Sequence, residues 1–81
     1  MRLIHPDFPR IISDTDICFG RPCIKNSRIT VANILSYLSS GMAPSDIIKE
    51  FNWLTLEDIN EALTFAAKAL DDRFLPLQKA S

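Results

Sequence analysis

Thr30-Val31-Ala32-Asn33-Ile34-Leu35-Ser36-Tyr37-Leu38-Ser39-Ser40-Gly41 is the stretch on which the fold turns. Ahead of it, apolar residues come in short β-branched pairs. From Thr30 onward they return every three or four positions, so Val31, Ile34, Leu35 and Leu38 share one helical stripe. Thr30 is a good N-cap, because its hydroxyl can accept a hydrogen bond from a backbone N–H of the first turn. Gly41 stands where a helix closes on a left-handed residue. The segment predicts a first helix.

Toward the C-terminus, Pro44 suits the first position of a second, short helix with Ile47, Ile48 and Phe51 as its apolar face. Ala43 would be its cap and has no acceptor, so that end is expected to be the weaker one. Asn52-Trp53-Leu54 connects to a third helix, which Thr55 caps and whose third position holds Asp58, as in a capping box. Leu56, Ile59, Leu63, Ala66 and Leu70 lie on one face, with Ala62, Phe65 and Ala69 beside them. A stripe this broad has two uses. It can pack against the other helices and the N-terminal segment, or its alanine-rich side can meet a second copy of the chain. Over residues 56–72 the helix would be about 25 Å long.

Toward the N-terminus, Arg10-Ile11-Ile12-Ser13 reads as a short strand between Pro9 and Asp14. Residues 14–21 are turn-like, with Asp14, Asp16 and Gly20. Cys23-Ile24 and Arg28-Ile29 are extended candidates around Lys25-Asn26-Ser27, where Asn26 tolerates a left-handed conformation. A ribbon of such pieces is marginal alone and must pack on something. The expected fold class is therefore mostly α: a three-helix, helix-turn-helix-type domain preceded by a short extended or β N-terminal arm. The expected organisation is one domain over residues 1–73, with the arm at 1–30 and the helical unit at 31–73, then a tail at 74–81. That tail carries Phe74, Leu75 and Leu77 around a helix-ending Pro76. Either it folds back on the domain or it docks on a partner.

Of 81 residues, 47% are hydrophobic and 23% charged, which fits an ordinary folded chain rather than a disordered one. A chain of this size has a small core, so a second copy is a natural source of stability. Its net charge of −1 lacks the basic excess typical of nucleic-acid binders. The charge is uneven, however. Residues 1–30 hold five basic and three acidic side chains, and residues 31–81 hold four and seven. The first ten residues have no apolar leader core, and no segment approaches the roughly 20 apolar residues of a membrane span. The two cysteines, Cys18 and Cys23, are too few for a disulfide framework. A cytoplasmic protein with reduced thiols is expected.

Catalytic machinery is not expected. His5 is the single histidine, and a Cys-x4-Cys spacing without a second pair of ligands is a weak match for zinc. A Cys–His nucleophile pair would lack an orienting third group. Gly20 and Gly41 are the only glycines, which excludes glycine-rich phosphate loops. Glu57, Asp58 and Glu61 crowd the start of the third helix, where its dipole favours negative charge. No cofactor or metal is expected. If the third helix read DNA, Thr55 and Asn60 would suit base contacts, but the carboxylates beside them would be repelled by phosphate. Arg21, Lys25 and Arg28 of the arm are then the better candidates, unless Asp14 and Asp16 pair with them.

The segment from Ile12-Ser13-Asp14 through Gly20-Arg21-Pro22-Cys23-Ile24-Lys25, followed by Arg28-Ile29-Thr30-Val31, resembles the opening of a small bacterial family. These are the VapB-like antitoxins, formerly a domain of unknown function (number four-three-three). Ser40-Gly41-Met42, Ile47-Ile48, Leu54-Thr55-Leu56-Glu57-Asp58-Ile59, Ala62-Leu63 and Ala66-Ala67 continue the similarity, which runs from about Ile11 to Leu70. Where the family commonly has Gly-Thr this chain has Asn26-Ser27, and Ala43 replaces the usual capping serine. The resemblance implies a homeodomain-like fold, no catalytic residue, a PIN-like ribonuclease toxin encoded nearby as partner, and possible binding to operator DNA.

The reading that follows is a non-catalytic antitoxin-type protein, a homodimer, that neutralises a PIN-like toxin. Arg73, Phe74, Leu75, Leu77 and Lys79 are its expected toxin contacts. The rival reading is a DNA-binding helix-turn-helix regulator acting through Arg21, Lys25, Arg28, Thr55 and Asn60. A third is a small-molecule or redox sensor built on Cys18 and Cys23.

Overall fold

The computed structural model describes residues 2–72. They form β1 (Arg2–His5), β2 (Phe8–Asp14), a single 3-10 turn (Cys18–Gly20), β3 (Cys23–Ile24), α1 (Val31–Ser39), α2 (Pro44–Glu50) and α3 (Leu56–Asp72). The strands make one antiparallel sheet in the order β1-β2-β3. This corrects the expected mostly α class. The fold is α+β, with three helices on a three-stranded sheet rather than a helical domain trailing an arm.

The pairing of β1 explains the difference. Arg2, Leu3 and Ile4 pair with Asp14, Ser13 and Ile12, and Pro6-Asp7 then turns the chain so that His5 meets Phe8. The register slips between Ile4 and His5. That slip sets Pro9, which has no N–H to give, outside the β1 ladder. On its other edge β2 pairs Ile11 with Ile24 and Ile12 with Cys23.

Successive strand residues point to opposite faces, so the sheet buries two different layers. Ile11 and Ile24 face the helices and join Ile29, Val31, Ile34, Ile47, Leu54, Ile59 and Ala62 in the main core. Each isoleucine fully removed from water contributes about 1.5–3 kcal/mol. Ile12 and Cys23 are equally buried, but on the far face, where the 15–20 segment covers them.

The helix ends follow the sequence closely. Thr30 Oγ1 accepts from the Asn33 N–H at 2.9 Å. Gly41, at φ +101°, closes α1 with paired bonds from its own N–H to Leu38 O and from Met42 N–H to Tyr37 O. At α2 only the return half of a capping box forms, from the Ala43 N–H to Asp46 Oδ2 at 2.9 Å, since Ala43 has no acceptor. At α3 both halves form. The Thr55 N–H donates to Asp58 Oδ2 at 3.0 Å, and the Asp58 N–H to Thr55 Oγ1 at 3.2 Å.

Asp58 does more than cap. Its Oδ1 accepts from the Arg10 guanidinium at 3.1 Å, while Glu61 takes the Arg10 backbone N–H and lies 3.7 Å from Nε. The register slip that leaves Arg10 outside the β1 ladder thus ends in a clamp on α3. Replacing Asp58 by Ala should remove both cap and clamp and cost about 2–3 kcal/mol, read as a lower urea midpoint with an unchanged slope.

Candidate functional site

Residues of α1 and α3 line an open groove of about 390 Å³. Val31, Ala32 and Leu35 form one wall, Phe65, Ala66, Ala69 and Leu70 the other, with Arg21, Pro22 and Thr30 at the end. The alanines explain why it stays open, since their methyl groups cannot reach across. Ile59 and Ala62 are the α3 residues wholly buried, whereas Leu70 is 64% exposed. Leu35 and Leu63, read from periodicity as core, are also exposed. The helical stripe is broader than the sheet and α1 together can cover.

Next to Arg21 lies a turn of unusual backbone. Cys18, Phe19 and Gly20 all have positive φ, at 54°, 57° and 80°. For the first two this left-handed conformation is strained. It turns Phe19 outward until 94% of it is exposed. Trp53, expected only as part of a connection, is 58% exposed and packs edge-on against Phe51 at 5.7 Å. It borders a second hollow with Pro9, Arg10, Lys25 and Asn26.

Of the candidate DNA contacts, Arg21 lines the α1–α3 groove, Lys25 the hollow beside Trp53, and Asn60 a third hollow. Arg21, Lys25 and Arg28 are exposed, and among the described residues none has a carboxylate within 4.0 Å. The anticipated pairing with Asp14 does not occur, because Asp14 pairs with Arg2 at 3.5 Å. Thr55 is occupied by its capping box. Asn60 shares a shallow hollow with Asp7, Glu57 and Glu61, three carboxylates against the one guanidinium of Arg10. The toxin contacts Arg73, Phe74, Leu75, Leu77 and Lys79 lie outside the described residues.

His5 is placed by Ser13, whose Oγ is 3.2 Å from its Nε2, and by Phe65, whose ring meets it edge-on at 4.9 Å. Among the described residues no three His, Cys, Asp or Glu side chains gather as a metal site. No helix there is long and apolar enough to cross a membrane.

Sequence reading missed Phe19, Trp53 and Arg10. For Arg10 a signal was present: Asp58 and Glu61 lie three apart and so share a helix face, a natural fork for one guanidinium. The exposure of Phe19 and Trp53 has no such local signature.

A family model described as "Protein of unknown function (DUF433)" matches residues 11–66. In a comparison of structures, a DUF433 member protein from Anabaena variabilis ATCC 29413 aligns with a TM-score of 0.73 and 24% sequence identity. The match covers 78% of this chain and 62% of that one, and it speaks to the fold alone. No curated protein matches the chain significantly.

Asp14 offers a test of the electrostatics beside the strained turn. The Asp16 N–H donating to its Oδ1 at 2.9 Å, helped by Arg2, holds its carboxyl below the ordinary carboxylate value. A lowered folded-state value stabilises the protein above the unfolded-state value, and that contribution disappears as pH falls through the folded one. Asp14→Asn should therefore lower the neutral plateau of a stability–pH profile and flatten its acid limb, so that variant and wild type converge at low pH.

Proposed function

The chain belongs to the DUF433 family, and we propose that it is a non-catalytic binding protein of the antitoxin type, docking on and silencing a PIN-like ribonuclease. The resemblance of the Ile12–Lys25 and Leu54–Ile59 segments to VapB-like antitoxins supports the choice of partner. The α1–α3 groove carries the reading. It is an apolar, open surface with a single guanidinium, that of Arg21, at its end. A groove of that kind accepts an apolar anchor from a partner, and such anchors supply most of the energy of an interface. Arg21 suits an acidic surface, such as that of a metal-dependent nuclease, by charge complementarity. Residues 73–81 would extend the contact through Arg73, Phe74, Leu75, Leu77 and Lys79. The alternative occupant of the same face is a second copy, which would make the chain a homodimer.

Co-expression with the ribonuclease encoded beside this gene tests the reading. The wild-type chain should co-purify with it and suppress RNA cleavage. Leu35→Asp and Leu70→Asp should each weaken binding at least tenfold; Leu70 is 64% exposed, so its variant keeps the wild-type stability, whereas Leu35, at 37%, loses some. If both variants neutralise like the wild type, this face is not the interface. A chain ending at Arg73 separates the groove from the tail. Light scattering of the chain alone reports the homodimer.

One observation favours a second role at operator DNA, namely that Arg21, Lys25 and Arg28 are exposed and have no acidic partner among the described residues. DNA would then be reached through the loop cations rather than the acidic start of α3. Three neutralised phosphates give a salt dependence with a log–log slope of about −2.7. A gel shift with the upstream region showing no complex at low salt removes this role.

A further inference from the structure

The face of the sheet turned away from the helices carries the two thiols. Cys23, paired with Ile12 in β2 and bridged to Thr30, is completely buried there. The Asp14–Cys23 connection returns over this same face. Its first turn is fixed by the Ile17 N–H donating to Asp14 O at 2.9 Å. Its second is the left-handed pair Cys18-Phe19, where the backbone sends the two side chains apart. Phe19 goes to solvent, and Cys18 goes inward to donate from Sγ to Arg28 O at 3.2 Å. Both thiols are free, Cys18 being partly exposed.

We propose that Cys18 and Cys23 form a redox modification site, in which a low-molecular-weight disulfide such as oxidised glutathione drives formation of an intrachain Cys18–Cys23 bond. The division of labour follows from access. Cys18 is the thiol a reagent can reach. Burial, and then the adjoining Cys18, push the Cys23 thiol up, which makes it the weaker candidate for first attack on a reagent in solution.

The chemistry balances. Cys18, as thiolate, attacks one sulfur of oxidised glutathione, breaking that S–S bond and releasing one glutathione thiolate. Cys23 then gives up its proton and attacks the Cys18 sulfur, and the second glutathione leaves as thiolate. The two protein thiols are oxidised by two electrons, and one glutathione disulfide becomes two thiols. The closed loop contains only residues 18–23. Excess reduced glutathione reverses the bond through the same two exchanges run backward.

The test uses the full chain in buffers of rising oxidised-to-reduced glutathione ratio, quenched in acid, alkylated and weighed intact. The wild type should pass to a species lighter by two hydrogens that takes up no alkylating agent and carries no glutathione. Its peptide map should join residue 18 to residue 23. Cys23→Ser should instead accumulate one glutathione on Cys18. In Cys18→Ser, Cys23 should stay unmodified while the protein is folded. A wild-type chain that holds glutathione, links to a second copy, or keeps both thiols alkylatable at every ratio would overturn the proposal. The wild-type readout stands even if a variant fails to fold, and it does not depend on any ribonuclease.

Discussion

A single carboxylate, that of Asp58, joins the two halves of this molecule. One oxygen receives the Thr55 N–H and starts α3, while the other receives the Arg10 guanidinium and draws β2 against that helix. A buried carboxylate is costly unless its lone pairs are filled, and here both oxygens are engaged. Glu61 reinforces the join by taking the Arg10 backbone N–H, a donor that the register slip withholds from β1. With sheet and helix tied at this end, α3 must run outward along the core for its remaining turns. Its last turns therefore pass beyond the part of the core that can cover them, and the groove beside α1 follows from that placement.

The helical half was largely legible. Thr30, Gly41, Pro44 and Thr55 act locally, within one turn of chain, and each sits where its side-chain chemistry said it would. The sheet was less so. Cys23-Ile24 and Asn26, at φ +64°, were readable, but β1 was hidden among His5, Pro6 and Pro9. A strand that short is held by its partner rather than by its own pattern, and three of its four pairs join residues eight to twelve apart. The same limit explains Leu35, Leu63 and Leu70. Periodicity tells which residues share a face, yet it does not tell how much of that face a small sheet can shelter.

The candidate site was legible only in part. Arg21, Lys25 and Arg28 were picked out by composition and do stand exposed. Their freedom from Asp14 depended on Arg2, whose pairing is a consequence of the unforeseen strand. Asn60 and Thr55 were chosen for chemistry that their surroundings then claim, one by carboxylates and the other by the helix cap. Phe19 is the sharpest case. Nothing about a phenylalanine beside a glycine says it will be fully in water; only the left-handed backbone of the turn does. The two thiols, read first as an isolated spacing, acquire meaning because that same backbone sends Cys18 toward the far face of the sheet.

The pairing of β1 has a consequence for handling the protein. Its outer edge has no neighbour among the described residues, and it shows Leu3 and Ile4 to water. An uncovered ladder with apolar side chains is a template for adding foreign strands. Here the hazard is contained by brevity and by its flanks, with a guanidinium at Arg2 and a proline at Pro6 that has no N–H to extend the ladder. Lengthening the apolar stretch or removing Pro6 would turn a guarded border into a growth point for cross-chain assembly.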